Sequence, residues 1–266
     1  MLGAIIGDIV GSRFEWHNYR AKDFEFFSNK CFVTDDSIMS LAVCEAICEA
    51  GDDYMHLGEI TVKAMQRIGR PYPHCGYGGA FLHWMYSDEP APYGSFGNGA
   101  AMRVSGCGFA AKFLDETKIL SREVTAITHN HPEGLKGAEA TAVAIFLARQ
   151  GKTQAEIKAH ISEHYYNIDF TLDDIRATNE FNETCQNTVP QALEAFFEAQ
   201  SFEDAIRNAI SIGGDSDTIA AITGGIAEAY FGIPKDLRIK ALSFLDERLS
   251  PILERFEAKF PPKIVN

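Results

Sequence analysis

The stretch SIGGDSDTIAAITGGIAEAYFG, Ser211 to Gly232, constrains the fold more than any other. After its two aspartates it runs almost wholly apolar, with no polar stripe at helical spacing. A helix that is apolar all round is buried all round and needs other elements packed on every side. The remaining sequence supplies helices for that purpose. TDDSIMSLAVCEAICEAG has an acidic start, apolar residues at helical spacing and a terminal glycine. HPEGLKGAEATAVAIFLARQG has proline near its start and Gly151 past its end. TVPQALEAFFEAQ and SFEDAIRNAISIGG read as successive amphipathic helices, the second opened by a Ser-x-x-Asp cap. LRIKALSFLDERLSPILERF supplies one or two more. Alternating strand patterns are scarce, and KCFVTD is the one short candidate strand. The expectation is an all-α, compact single-domain bundle over residues 1–266, with roughly a dozen helices at the usual length of about 11 residues.

That buried helix begins with Asp215 and Asp217, and a buried carboxylate is expensive unless it is paired or binds metal. TDDS, Thr34 to Ser37, mirrors DSDT, Asp215 to Thr218. Each places a hydroxyl and two carboxylates at a helix start. Read singly, either is an acidic N-cap against the positive end of the helix dipole. Read together, they are an oxygen-only donor set suited to Mg²⁺, Mn²⁺ or Ca²⁺ rather than zinc. Two such starts facing each other can hold two ions about 3.5–4 Å apart, as in two-metal hydrolytic sites. Asp8 and Glu15 lie seven residues apart in GAIIGDIVGSRFE, a spacing that lets them share a helix face. Gly3, Gly7 and Gly11 recur every four residues there, a pattern that permits close helix packing. His129 and His131 lack the third nitrogen or sulfur ligand that a zinc site requires.

The net charge of −13 argues against a nucleic-acid backbone or an anionic membrane as the main partner. No run reaches transmembrane length, and the apolar N-terminus carries Asp8 and no basic lead, so it is a poor signal peptide. The six cysteines form no CxxC pair and read as buried free thiols, which points to a reduced, cytoplasmic protein. Three glycine-, aromatic- or histidine-rich segments, GYGGAFLHWMY, APYGSFGNGAAMR and THNHPEG, and the polar stretch 165–187, break the helical pattern. Long irregular stretches in a compact domain tend to carry function.

The motifs GAIIGDIVGSRFE, TDDS, GYGG, GSFGNGAAMR, THNHPEGLKGAEATA and GGDSDTIAAITGGIAEAYFG, in that order, resemble the ADP-ribosylglycohydrolase family, which includes dinitrogenase reductase-activating glycohydrolase. The resemblance runs to about residue 235 and implies the compact all-α fold of that family. It implies two Mg²⁺ or Mn²⁺ ions on Thr34, Asp35, Asp36, Asp215, Asp217 and Thr218, and a catalytic or gating role for Glu15. Asp35 and Asp36 are the alternative general bases. Gly76, Gly78 and Gly79 would approach a diphosphate, Gly94, Ser95, Phe96, Gly97 and Asn98 would form a second ligand loop, and His129 would lie near bound ADP-ribose. Two positions depart from the pattern: Ser37 stands where threonine is common, and Phe96 where some members have tyrosine. The expected activity is hydrolysis of the glycosidic bond joining ADP-ribose to a protein side chain, arginine foremost, or to a small conjugate. An ADP-ribose-binding pseudoenzyme and a metal-dependent nucleotide phosphohydrolase are the alternatives.

Overall fold

The computed structural model describes residues 1–265. Fifteen helices and one two-residue strand pair make up its regular structure. At the centre is α13 (Ser216–Phe231), in which every residue from Ser216 to Ala229 is buried. Around it pack α1 (Leu2–Gly11), α8 (Pro132–Arg149), α11 (Cys185–Phe197) and α12 (Phe202–Ile210). A second layer includes α2 (Asp35–Glu49), against which α3 (Leu57–Gly69), α6 (Ser105–Ala110) and α15 (Ser250–Lys259) pack. α4 (Gly79–Tyr86), α5 (Gly99–Met102), α7 (Leu114–Ala126), α9 (Gln154–His164), α10 (Leu172–Arg176) and α14 (Lys235–Leu242) complete the chain. A hydrophobic core runs continuously from Met1 to Phe256. No described helix is long and apolar enough to cross a membrane.

α1 lies directly on α13, and glycine makes that contact possible. A Cβ on Gly7 would sit 2.0 Å from the Ala220 carbonyl oxygen, one on Gly3 2.3 Å from that of Gly224, and one on Gly11 2.5 Å from Asp217 Cα. The four-residue glycine spacing is thus a seam of backbone on backbone. It brings Asp8 and the chain just beyond Gly11 against the start of α13.

Three local expectations change. KCFVTD forms no strand, because its backbone donors find other partners: Phe32 N–H donates to Ser12 Oγ, and Thr34 N–H to Asp8 Oδ2. α1 ends at Gly11, so Glu15 is not on the helix and shares no face with Asp8; it lies in the turns that follow. The strands present, β1 (Ile233–Pro234) and β2 (Ile264–Val265), are a parallel pair too short to leave a sequence pattern.

Candidate active site

Thr34 is the N-cap residue of α2 and Asp215 that of α13, and the two helix starts meet. Thr218 Oγ1 donates to Asp36 Oδ2 at 3.1 Å across 182 positions of sequence. Thr34 caps α2, its Oγ1 accepting from the Asp36 N–H at 3.2 Å and donating to Asp8 Oδ1 at 2.6 Å. Asp8, fully buried, also accepts from the N–H groups of Thr34 and Ser37 and from the Ser37 hydroxyl. It anchors the α2 start from below. Asp215 occupies the N-cap position of α13 but makes no side-chain capping bond. Its Oδ2 instead accepts from Asn98 Nδ2 at 2.6 Å. Gly213 and Gly214 precede it at φ +68° and +76°, left-handed conformations that only glycine adopts cheaply. The Gly214 N–H donates to Asn18 Oδ1 at 2.8 Å, which ties the turn carrying Glu15 to the α13 start.

One result is a compact acidic cluster. Oxygens of Glu15, Asp215 and Asp217 lie within 4.8 Å of one another. Asp36 and Asp217 are each 3% exposed, yet Asp36 Oδ1 has no hydrogen-bond partner. Burial, followed by the charge of Asp217, raises Asp35 and Asp36 well above the usual carboxylate range. Glu15 is pushed up to about 8, by burial first and then by the charges of Asp217 and Asp8. Asp8 and Asp215 rise to about 6, also through burial. A hard cation is the group this set fits: oxygen donors only, an orphaned buried oxygen, and among the described residues no lysine or arginine in ion pair with the cluster.

The cluster fixes how stability responds to pH without metal. Carboxyl pKa values raised in the fold mean that the folded chain holds protons which the unfolded chain releases. Stability therefore falls as pH rises from about 4, where unfolded carboxyls titrate, towards the folded value of about 8 for Glu15. In EDTA the melting temperature is expected to drop between about pH 5 and 8. Mg²⁺ at a hundredfold excess over its Kd adds about 2.7 kcal/mol, hence roughly 5–10 °C for a chain of this size, and more at the alkaline end than at the acid end. Thermal melts at several pH values check this. A melting temperature indifferent to Mg²⁺ at every pH would reduce the cluster to helix caps.

The carboxylates of Glu15, Asp35, Asp36, Asp215 and Asp217 line a cleft of about 250 Å³, together with Thr218. Gly76, Gly78, Gly79, Ser95, Gly97, Asn98 and His129 line it too. Gly76, at φ +119°, makes room for Asp35, whose Oδ1 would be 2.6 Å from a Cβ there. A Cβ on Gly78 or Gly79 would meet nothing within 4 Å, and both line the cleft at the N-terminus of α4. Gly94, Phe96 and Thr34 are not in its lining. Phe96 is 41% exposed on the rim, its ring 5.1 Å from that of His131. His131 caps α8 through Nδ1, a structural role. Asn98 belongs as much to the acids as to the cleft, since its amide holds Asp215.

Sequence reasoning alone does not find Phe81, Tyr93, Met102, Phe181 or Glu183, which line the same cleft. Phe181 and Glu183 come from the polar stretch 165–187, whose irregularity was their only signal. Phe181 stacks on Trp16, the neighbour of Glu15 in sequence, at 4.8 Å between centroids.

Helices gathered round a cleft with an acidic floor and glycine-rich walls make an α-helical hydrolase the class to which this site belongs. Residues 1–262 match the family described as ADP-ribosylglycohydrolase. ADP-ribosylhydrolase ARH3 of Xenopus tropicalis is 24% identical over 320 aligned positions, covering 92% of this chain and 91% of that protein. Human ADP-ribosylhydrolase ARH3 is 26% identical, covering 88% and 84%. The ADP-ribosyl-[dinitrogen reductase] glycohydrolase of Rhodospirillum rubrum is 27% identical, covering 84% and 76%. A solved structure titled ADP-ribosylglycohydrolase-related protein complex shares the fold, with TM-score 0.72 and 22% identity over 97% of this chain and 95% of that one. The chain belongs to the ADP-ribosylglycohydrolase family and is an enzyme of that class, a hydrolase that releases ADP-ribose from an acceptor.

Proposed function

We propose that the cleft cleaves the bond at the anomeric carbon of ADP-ribose attached to a protein side chain, arginine foremost, or to a small conjugate, with two divalent cations, Mg²⁺ or Mn²⁺, held by Thr34, Asp35, Asp36, Asp215, Asp217 and Thr218. The observation that carries the reading is the meeting of the two acid-headed helix starts around the orphaned Asp36 Oδ1. Bound there, the ions would supply Lewis-acid charge that orients and acidifies water and holds the ribose hydroxyls. The chain's own groups do the rest. The free N–H groups at the start of α4, beside Gly78 and Gly79, offer a positive dipole end to the diphosphate. Tyr93 and Phe81 give the cleft aromatic surface for a base, worth about 1–3 kcal/mol if stacked. Glu15, its oxygen beside those of Asp215 and Asp217, takes the proton from the attacking water in its ionised form, which bound cations would favour, with Asp35 or Asp36 as the alternative base. The transition state is oxocarbenium-like, as in other glycoside hydrolyses. Asn98 and Asp8 hold Asp215 and Thr34 in register.

The test is a turnover panel of ADP-ribosylated arginine, ADP-ribosylated serine and O-acetyl-ADP-ribose with Mg²⁺ or Mn²⁺, products identified by mass. Free ADP-ribose supports the proposal and its rate ranks the acceptors. AMP would mark a phosphohydrolase, and binding without turnover a pseudoenzyme.

A further inference from the structure

One wall of the cleft contains a cation with no ion-pair partner among the described residues. Arg103 follows α5 and is 1% exposed, and no carboxylate forms an ion pair with it among the described residues. Its neighbours are neutral. Nη2 donates to Thr128 Oγ1 at 2.5 Å and lies 3.3 Å from His129 Nδ1. The guanidinium carbon stands 5.5 Å from the centroid of Phe81, and Nε has no partner.

A guanidinium has donors only. A proton on His129 Nδ1 would face the Arg103 donor at 3.3 Å and force the Thr128 hydrogen onto a poorer partner, so Nδ1 is the acceptor. Thr128 Oγ1 reinforces the constraint. It already accepts from Arg103, and its own hydrogen points best at Nδ1, 2.7 Å away, since its other contact, the Thr125 carbonyl, is at 3.5 Å. The ring's single proton is left on Nε2. That atom would be 3.5 Å from a Cβ on either Gly97 or Gly99, both in the cleft wall, and it makes no hydrogen bond within the described protein.

We infer that Arg103 is a positioning residue that, with Thr128, locks His129 as a neutral imidazole with its proton on Nε2, a fixed donor for a phosphate or ribose oxygen in the cleft. The inference rests on the proposed ADP-ribose site for the identity of that oxygen, and on geometry alone for the tautomer. Surroundings agree with a neutral ring. Burial, then the Arg103 charge, holds its pKa well below the usual histidine value. The other titratable group facing it is Tyr93, whose ring centroid is 6.0 Å away and whose burial raises its pKa, so it stays uncharged near neutrality. An imidazolium would discriminate less between oxygen acceptors and would change with pH. A locked neutral donor does neither.

The test uses the whole protein labelled with ¹⁵N-histidine. His129 signals, assigned by their loss in His129→Gln, are expected to show the Nε2–H neutral pattern across about pH 5.5–8, the range over which a free histidine titrates. ADP-ribose affinity in saturating Mg²⁺ should be flat over the same range. Arg103→Met should let the tautomers mix and weaken ADP-ribose by about tenfold or more, the loss of one well-placed hydrogen bond, with a new pH dependence. Arg103→Lys keeps a donor-only cation and should restore the Nε2–H pattern. An imidazolium or an Nδ1–H tautomer in the unmodified protein overturns the inference, even if no Arg103 variant folds. A destabilised Arg103→Met with the tautomer unchanged also overturns it, because Arg103 would then be core filling. Failure of ADP-ribose to bind while the Nε2–H pattern holds would instead count against the proposed ligand and leave the lock standing.

Discussion

Asp217→Ala is expected to lower turnover by at least about 10³-fold, the scale of losing a group that stabilises developing charge in a water-poor site. Asp217 is the carboxylate on which the cluster converges. Its charge is the leading electrostatic influence on Glu15, Asp35 and Asp36 alike. It sits in the first turn of the central helix, with Oδ1 accepting the Thr218 N–H at 3.0 Å and otherwise facing the cleft. Two melting curves separate a ligand from a helix cap. In EDTA the variant should melt no lower than the parent, since one member of a like-charge cluster is gone; such a pair at 4 Å costs up to about 4 kcal/mol at an effective dielectric near 20. In Mg²⁺ the parent should gain stability and the variant should gain little. Helical content should be unchanged in both. An active variant, or one that Mg²⁺ still stabilises fully, would remove the metal site from the proposal.

Glu15→Gln is expected to lower single-turnover hydrolysis by about 10²–10⁴-fold, the usual contribution of a positioned general base. The change preserves size and removes the ability to take a proton. Glu15 lies in an irregular turn, held against Gly214 by Asn18, with its oxygen inside the group formed with Asp215 and Asp217. ADP-ribose affinity should change by less than about tenfold, because the α4 N-terminus and the aromatic wall are untouched. Calorimetric titration with ADP-ribose in saturating Mg²⁺ measures that. Normal turnover would shift the base role to Asp35 or Asp36. Turnover and affinity lost together would make Glu15 an organiser of the site, through the oxygen it adds to the cluster, rather than its base.

Much of this architecture is written in local sequence. The apolar run behind Asp217 needs a shell of helices, because nothing on its surface can face water. Gly3, Gly7 and Gly11 mark the seam at which another backbone arrives, and TDDS and DSDT mark the helix starts that gather acids. These are properties of one segment at a time, and side-chain volume, polarity and period express them directly.

Tertiary structure decided what those segments meet. Asp36 and Thr218 touch across 182 positions, and no local period encodes that distance. Asn98 has the look of a loop ligand, yet its amide is committed to Asp215. Phe96 reads as part of the second ligand loop, while Tyr93 and Phe81 have the places in the cleft wall. Arg103 has no ion-pair partner among the described residues, and its nearest polar neighbours are a threonine and a histidine, which no local pattern announces. Glu15 reaches the acids through a turn rather than along a helix, because α1 stops at Gly11, where the chain bends towards the start of α13. The sequence by itself determined which groups are too costly to bury alone. Only the packing of α1 and α2 on α13 decided which of them would share a site, because the free energy of a buried charge depends on its neighbours, and those neighbours come from distant parts of the chain.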